Sequence, residues 1–137
     1  RTVLEGLTKG EPGNQEAYMV ALADRYRLAR EWNRFMARYP LVLGPVCTQP
    51  PFKVGADLEG PEAIQRIIHY MGLTEICNLL GLPSAAVPVQ VKDGLPKGVQ
   101  LIAPRFYEDL CLDGAAVIEE HQGVFTPIDP RDAPSGS

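Results

Sequence analysis

Apolar side chains recur at helical spacing in the first part of the chain. A broad stripe follows Asn14 and consists of Leu22, Tyr26, Ala29, Trp32 and Met36, with Leu28, Phe35 and Tyr39 alongside. Steps of three and four residues bring such side chains onto one face of a helix, and we expect this stripe to be buried. Asn14 is a favoured N-cap residue, and Pro40 disfavours helical backbone in the residue before it. The pattern predicts one long helix that begins after Asn14 and ends at about Tyr39.

Two shorter helices are predicted in the middle of the chain. The first begins at Gly60–Pro61–Glu62 and should end at Gly72, and the second should have Thr74 as its cap and Gly81 as its end. The residues expected to be buried are Ile64, Ile67, Ile68 and Met71 in the first helix and Ile76, Cys77 and Leu80 in the second. Glu62, Gln65, Arg66 and His69 should form the polar face of the first helix.

A last helix is predicted from Glu108–Asp109 to Gly123. Its acidic start complements the helix dipole, and its closing glycine suits a helix C-terminus. The residues expected to be buried are Leu110, Cys111, Ala115, Val117 and Ile118. A polar, proline-rich tail over 124–137 is expected to follow, and residues 1–13 read as a loop rich in glycine.

Strands are predicted at 41–46, 85–91 and 98–103. The first, with the apolar run Leu41–Val42–Leu43 between a proline and a glycine, is expected to be a buried strand, and the other two alternate apolar and other residues. About six residues, among them Asp93–Gly94, join the last two strands, which predicts a β-hairpin. Pro88 has no N–H group to donate, so we expect an irregularity in the ladder there.

The composition and charge restrict the kind of protein. Hydrophobic residues make up 45% of the 137 residues and charged residues 22%, as in soluble globular domains. The net charge of −4 argues against a nucleic-acid partner. Five arginines, Arg25, Arg27, Arg30, Arg34 and Arg38, are expected to form the solvated face of the first helix. No apolar run approaches the roughly 20 residues of a membrane span, so no membrane is expected.

The cysteines indicate the cellular compartment of the protein, and the first residue indicates how the chain arose. Cys47, Cys77 and Cys111 are an odd number and widely separated, which fits neither a disulfide framework nor a metal knuckle. Reduced thiols in a cytoplasmic protein are the simplest interpretation. Because the chain begins with Arg1, we expect it to be processed or a fragment.

Two other kinds of site, a nucleophilic Cys–His pair and a metal site, are not expected. Cys47 or Cys77 with His69 could form a nucleophilic pair, but His69 should lie on the polar face of its helix and Cys77 on an apolar face. Three acidic residues, Asp57, Glu59 and Glu62, lie close together in sequence, but such a group in one loop is common. We therefore expect no metal and no cofactor.

Two glycine–leucine–proline elements resemble the amidase-signature family. The segment 78–89 has the form N-x-x-G-L-P-[AS]-x-x-V-P-V, and the segment 94–101 reads G-L-P-x-G-V-Q-L. Pro104–Arg105–Phe106 and an acidic helix start follow in the family's order, and the resemblance covers roughly 14–122. The chain departs from the family at Cys47, where a proline is usual before the threonine, and at Lys97, where a small apolar residue is common.

The resemblance implies an α/β fold built as an α/β/α sandwich around a large mixed sheet. Residues 1–123 would be the C-terminal part of that domain and would supply a few strands, including the hairpin, flanked by about three long helices. Its strands would pair with others upstream. In their absence an exposed edge favours self-association, so we expect a homo-oligomer.

The resemblance also implies an activity whose catalytic residues are not in this chain. Family members cleave a carboxamide to an acid and ammonia or an amine, with a serine nucleophile, a second serine at a cis peptide and a lysine base. The serines here are Ser84, Ser135 and Ser137, and none matches that motif. We therefore expect no catalytic residue in the chain and no activity from it alone. The implied partners are the N-terminal catalytic portion and a small-molecule amide substrate.

Four residues are candidates for the substrate pocket: Cys47, Thr48, Met71 and Cys77. They lie in the proline-rich loop and in the turn between the two middle helices, which the resemblance implies are near the family's pocket. Two other functions stay open. The chain could be a non-catalytic binding or assembly module, or part of the amidase subunit of a glutamine amidotransferase complex.

Overall fold

The computed structural model describes residues 14–123, which form four α-helices and three β-strands. The helices are α1 (Gln15–Arg38), α2 (Pro61–Tyr70), α3 (Gly72–Leu80) and α4 (Glu108–Gln122). The strands are β1 (Val42–Pro45), β2 (Ser84–Lys92) and β3 (Leu95–Ile102), and a turn of 3-10 helix spans Ala56–Leu58. The α/β class is confirmed. The loop expected over 1–13 and the tail expected over 124–137 lie outside the described residues.

Helix α1 begins and ends where the sequence indicates. The side chain of Asn14 accepts a hydrogen bond of 2.8 Å from the amide of Ala17, which satisfies one of the free N–H groups at the helix start. Tyr39 is the C-cap and its amide still donates to the carbonyl of Phe35. Only Met36 in this helix is fully buried, and the predicted stripe is therefore covered along one edge alone.

The junction between α2 and α3 differs from the prediction. Gly72 does not end α2 but begins α3, and Met71 lies between the two helices. Thr74 is inside α3 and does not cap it, because its hydroxyl is used in hydrogen bonds to other parts of the fold. The predicted end of α3 is confirmed, since Gly81 adopts the left-handed conformation with φ 65°.

Strands β2 and β3 form the predicted hairpin, but through a shorter turn. Only Asp93 and Gly94 connect them, with φ of 55° and 74°, where about six residues were expected. Two left-handed residues match the twist of the flanking strands, so the strands extend further towards the turn. The register shifts between Pro88 and Gln90, which confirms the expected irregularity.

The three strands form an antiparallel sheet in the order β1-β3-β2, and helices cover both of its faces. On one face Ile102 packs with Met36 of α1 and with Cys77 and Leu80 of α3. On the other face α4 lies against Leu101: a methyl group at its Gly114 would come within 3.4 Å of the Leu101 side chain. The described residues thus form an α/β/α arrangement.

Several apolar side chains that were expected to be buried are exposed. Tyr26 is 56% exposed, Phe35 46% and Tyr39 48% on α1, and Val117 is 56% exposed on α4. Leu43 of β1 is 61% exposed on the face that α4 covers elsewhere. Burial was predicted at all five of these positions, four on helical stripes and Leu43 in a strand. The prediction is wrong at each of them, because no described element packs over it.

The arginines of α1 do not share one environment. Arg25 donates to the carbonyl of Leu79 at the end of α3, so it joins the two helices rather than facing solvent alone. Arg27 lies between Asp24 and Glu31 at 3.3 and 3.1 Å, as expected of a solvated helix face.

Substitution of Ile102 tests the arrangement of the core. Ile102 has no exposed surface and packs between the sheet and two helices. Ile102→Ala should lower the free energy of unfolding by about 2–5 kcal/mol, because it removes buried methyl groups and leaves a cavity. Denaturant unfolding measures this. The control Val91→Ala, at a position 59% exposed, should change the same quantity by less than about 0.5 kcal/mol. Equal effects of the two variants would contradict the described core.

Candidate functional site

One cleft brings together the proline-rich loop, the α2–α3 junction and the β2–β3 hairpin. Its volume is about 420 Å³. It is lined by Val46, Cys47, Gln49, Pro51, Phe52, Met71, Pro96, Lys97 and Gly98. The lining is mainly apolar, and among these residues Lys97 is the one that carries a charge. Such a cleft suits an uncharged or aromatic group of a small molecule.

The loop side of the cleft includes an aromatic pair. The rings of Phe52 and Tyr70 are stacked with their centroids 6.4 Å apart and their planes 21° apart. This contact packs the loop onto the last turn of α2. Gln49 and Pro51, which also line the cleft, lie in the same proline-rich loop, where the chain has few accessible conformations.

The candidate residue Thr48 ties this loop to the end of α2. Its amide donates to the carbonyl of Tyr70 at 3.0 Å, and its hydroxyl lies 3.3 Å from the same oxygen. Tyr70 is the last residue of α2, so its carbonyl has no partner inside the helix. Thr48 therefore satisfies a helix end and fixes the chain next to Cys47.

A buried amide connects the cleft to the sheet. The side chain of Gln100 is 3% exposed, and its Nε2 donates to Ser84 Oγ at 2.8 Å and to Cys77 Sγ at 3.4 Å. Its Oε1 lies 3.3 Å from the hydroxyl of Thr74, and that hydroxyl lies 3.1 Å from the carbonyl of Val46. Every polar atom of the Gln100 side chain thus has a partner, as buried polar groups require.

The structure brings three of the four candidate pocket residues to one place. Cys47 and Met71 line the cleft, and Thr48 adjoins it in the chain. Cys77 lies instead in the hydrophobic core, 6% exposed, where its Sγ accepts a hydrogen bond from Gln100. The residues Gln49, Pro51, Phe52, Pro96, Lys97 and Gly98 also line the cleft and are not among the candidates. The one sequence signal for any of them was Lys97, which departs from the family's usual small apolar residue.

The three cysteines differ in exposure. Cys47 is partly exposed, whereas Cys77 and Cys111 are buried. Burial away from water raises the pKa of the Cys77 thiol above its usual range, and it raises the pKa of Cys111 in the same way. Both buried thiols are therefore neutral at physiological pH. Cys77 Sγ accepts a hydrogen bond from Gln100 Nε2, and the thiol of Cys111 is a weak donor that lies 3.6 Å from the carbonyl of Pro83.

The alternative chemistries find no assembled site within residues 14–123. His69 is exposed beside the ring of Tyr70, while Cys77 is in the core. No group of three or more potential metal ligands comes together in this part of the chain. Ser84 accepts a hydrogen bond from Gln100, and none of the described hydrogen bonds joins it to a lysine or histidine. None of the helices described here has the length and apolar character to cross a membrane.

Comparison with known proteins gives consistent matches. The model of the amidase family matches residues 3–112. Indoleacetamide hydrolase from Bradyrhizobium japonicum is 41% identical over 118 residues, which cover 85% of this chain and 25% of that protein. A second relative, one of the subunits of glutamyl-tRNA(Gln) amidotransferase from Lactiplantibacillus plantarum, is 33% identical over 128 residues, covering 91% of this chain and 25% of that protein.

A solved structure supports the same relationship. The crystal structure of the corresponding glutamyl-tRNA(Gln) amidotransferase subunit from Thermotoga maritima matches with a TM-score of 0.64 and 27% identity. The match covers 77% of this chain and 23% of that chain. The chain therefore belongs to the amidase family and corresponds to a C-terminal portion of an amidase-signature protein. It spans about a quarter of the length of the curated relatives it matches.

Thiol labelling tests the described exposure of the cysteines. Iodoacetamide at neutral pH should modify Cys47 first, because the other two thiols are buried and their raised pKa values reduce the reactive thiolate. Peptide mapping by mass spectrometry measures the three rates. Labelling in denaturant is the control, and there the three cysteines should react at similar rates. Cys77 or Cys111 reacting as fast as Cys47 in the folded protein would contradict the described core.

Proposed function

We propose that this chain is the C-terminal part of an enzyme that hydrolyses a carboxamide to an acid and ammonia or an amine. Membership of the amidase family is the observation that carries the proposal. The catalytic serine, the second serine at a cis peptide and the lysine base would come from the N-terminal portion of the same enzyme. Serine is a weak nucleophile until a neighbouring base takes its proton, so these three groups would have to lie together in that portion.

The contribution of this chain to catalysis would be one wall of the substrate pocket. The cleft lined by Cys47, Phe52 and Met71 supports this role, since it is apolar and lies where the candidate pocket residues meet. A wall of this kind would exclude water from the acyl group of the amide and orient it. Thr48 would act indirectly, by fixing the loop to α2.

The exposed surfaces of the chain support packing against an N-terminal portion. Strands β1 and β2 are each paired along one edge only within the described residues. The exposed aromatic side chains Tyr18, Tyr26 and Phe35 lie on α1. Open strand edges and apolar patches of this kind are normally covered by further structure. In the absence of that portion the same surfaces would favour a homo-oligomer.

The reduced thiols support a cytoplasmic location.

A neutral or aromatic amide is favoured over glutamine as the substrate. Indoleacetamide hydrolase is the more similar relative, at 41% identity against 33% for the amidotransferase subunit. The mainly apolar lining of the cleft also suits an uncharged acyl group better than glutamine, of whose two charged groups only the carboxylate could find a partner among these residues, at Lys97. These two observations favour a free-standing amidase over the amidotransferase subunit, which remains the second candidate.

Ammonia release by the complete protein tests the proposal. The complete protein should hydrolyse indole-3-acetamide, with a higher kcat/KM than for glutamine. Preference for glutamine, together with co-purification of a further subunit, would support the amidotransferase instead. No hydrolysis of any carboxamide in a panel of aliphatic, aryl and amino-acid amides would contradict the proposed activity and favour a binding or assembly module.

Tryptophan substitutions at the cleft test the role of this chain in substrate choice. In the complete protein, Met71→Trp should fill part of the cleft and change the ratio of kcat/KM between a small aliphatic and an aryl amide by about tenfold, which corresponds to about 1.4 kcal/mol of lost binding. Thr48→Trp should change the same ratio indirectly, because it breaks the attachment of the loop to α2 and so displaces Cys47. Steady-state kinetics measure this. Leu112→Trp, at a position 65% exposed on α4, is the control and should leave the ratio unchanged. An unchanged ratio in both cleft variants would exclude the cleft from the substrate pocket.

A further inference from the structure

The segment Val46–Thr48 is fastened at both of its ends to the junction between α2 and α3. At one end the hydroxyl of Thr74 lies 3.1 Å from the carbonyl of Val46. At the other end Thr48 contacts the carbonyl of Tyr70 through its amide and its hydroxyl. Cys47, which lies between the two attachments, lines the cleft. Its position therefore depends on both.

The hydroxyl of Thr74 is itself oriented by the sheet. It has one proton for two acceptors, Gln100 Oε1 at 3.3 Å and the Val46 carbonyl at 3.1 Å. Gln100 cannot rotate without loss, because its Nε2 donates to Ser84 and to Cys77 and the side chain is 3% exposed. The chain of contacts runs from the hairpin through the start of α3 to the loop.

The same helix start also places the other candidate residue of the cleft. Met71 immediately precedes α3, and its carbonyl accepts a hydrogen bond of 3.0 Å from the amide of Glu75 in the first turn. A shift of this turn would move Met71 and the attachment of Val46 together. Thr74 lies in this turn and does not itself line the cleft.

We propose that Thr74 is a positioning residue for the substrate pocket, which fixes Cys47 and Met71 relative to each other through its contacts with Val46 and Gln100. This inference rests on the proposed function, since it assumes that the cleft binds the amide. It assigns a role to a residue that the sequence indicated only as a helix cap. A pocket wall that is already held in place loses less conformational entropy when the substrate binds than a mobile wall does.

The variants Thr74→Val and Thr74→Ser test the proposal in the complete protein. Valine keeps the shape and removes the hydroxyl, while serine keeps the hydroxyl. Thr74→Val should raise KM about three- to tenfold for the amide that the parent protein hydrolyses with the highest kcat/KM. This factor corresponds to the loss of one or two hydrogen bonds, and kcat should change by less than about twofold. The reason is that the reacting groups lie outside this chain. Thr74→Ser should restore KM.

Alkylation of Cys47 provides a second measurement that does not require activity. Thr74→Val should speed the reaction of Cys47 with iodoacetamide about three- to tenfold, because the segment loses one attachment. Cys111, a residue of α4 that is buried against the sheet, is the internal control and should react as slowly as in the parent protein. The matched variant Ser84→Ala removes a hydroxyl that also contacts Gln100 but does not reach Val46, and it should change the Cys47 rate less than Thr74→Val does.

These measurements separate failure of the inference from failure of the proposed function. If the complete protein hydrolyses no carboxamide, the proposed function fails, and the Cys47 rates alone then decide whether Thr74 positions the segment. An unchanged KM and an unchanged Cys47 rate in Thr74→Val would overturn the inference. It would also be overturned if Cys111 became reactive in parallel, because that would indicate general destabilisation, or if Thr74→Ser failed to restore either quantity.

Discussion

Strand β3 is hydrogen-bonded on both sides, to β1 along one edge and to β2 along the other, and the other described elements are arranged around it. Successive side chains of a strand point to opposite faces of the sheet. The adjacent residues Gln100, Leu101 and Ile102 of β3 therefore contact different parts of the fold. Leu101 contacts α4, Ile102 completes the core with α1 and α3, and Gln100 receives the polar contacts that lead to the cleft. A register slip by one residue would exchange these faces and remove all three at once.

The cleft results from elements that are distant in sequence but constrained in similar ways. The loop that follows β1 is stiffened by prolines, the α2–α3 junction leaves helix carbonyls available, and the hairpin closes through a two-residue turn. Each constraint is local, whereas the contacts between them, such as Thr48 with Tyr70 and Thr74 with Val46, are not. The proposed function of the chain therefore depends on how its connections are held, more than on any reactive side chain within the described part.

Periodicity and turn chemistry predict the elements well, and tertiary contacts are where prediction from one sequence fails. The cap at Asn14 and the hairpin could be predicted, because both depend on neighbouring residues. The position of Thr74 inside α3 could not, since its hydroxyl is satisfied by groups on a strand and a loop. Burial of Val117 was wrongly predicted, because periodicity shows which side of a helix is apolar but not what covers it. Cys77 packs in the core with Met36, Leu80 and Ile102 rather than lining the cleft, and its spacing from Met71 does not reveal this.

In the proposed function, this chain forms a wall of an amidase pocket whose reacting groups come from elsewhere in the enzyme. Reconstitution tests it most directly: the 137-residue chain and the separately produced N-terminal portion are assayed for ammonia release from indole-3-acetamide, alone and mixed. We expect no release from this chain alone and release from the mixture, with both polypeptides eluting together in size exclusion. Hydrolysis by this chain alone, or full activity of the N-terminal portion without it, would contradict the claim.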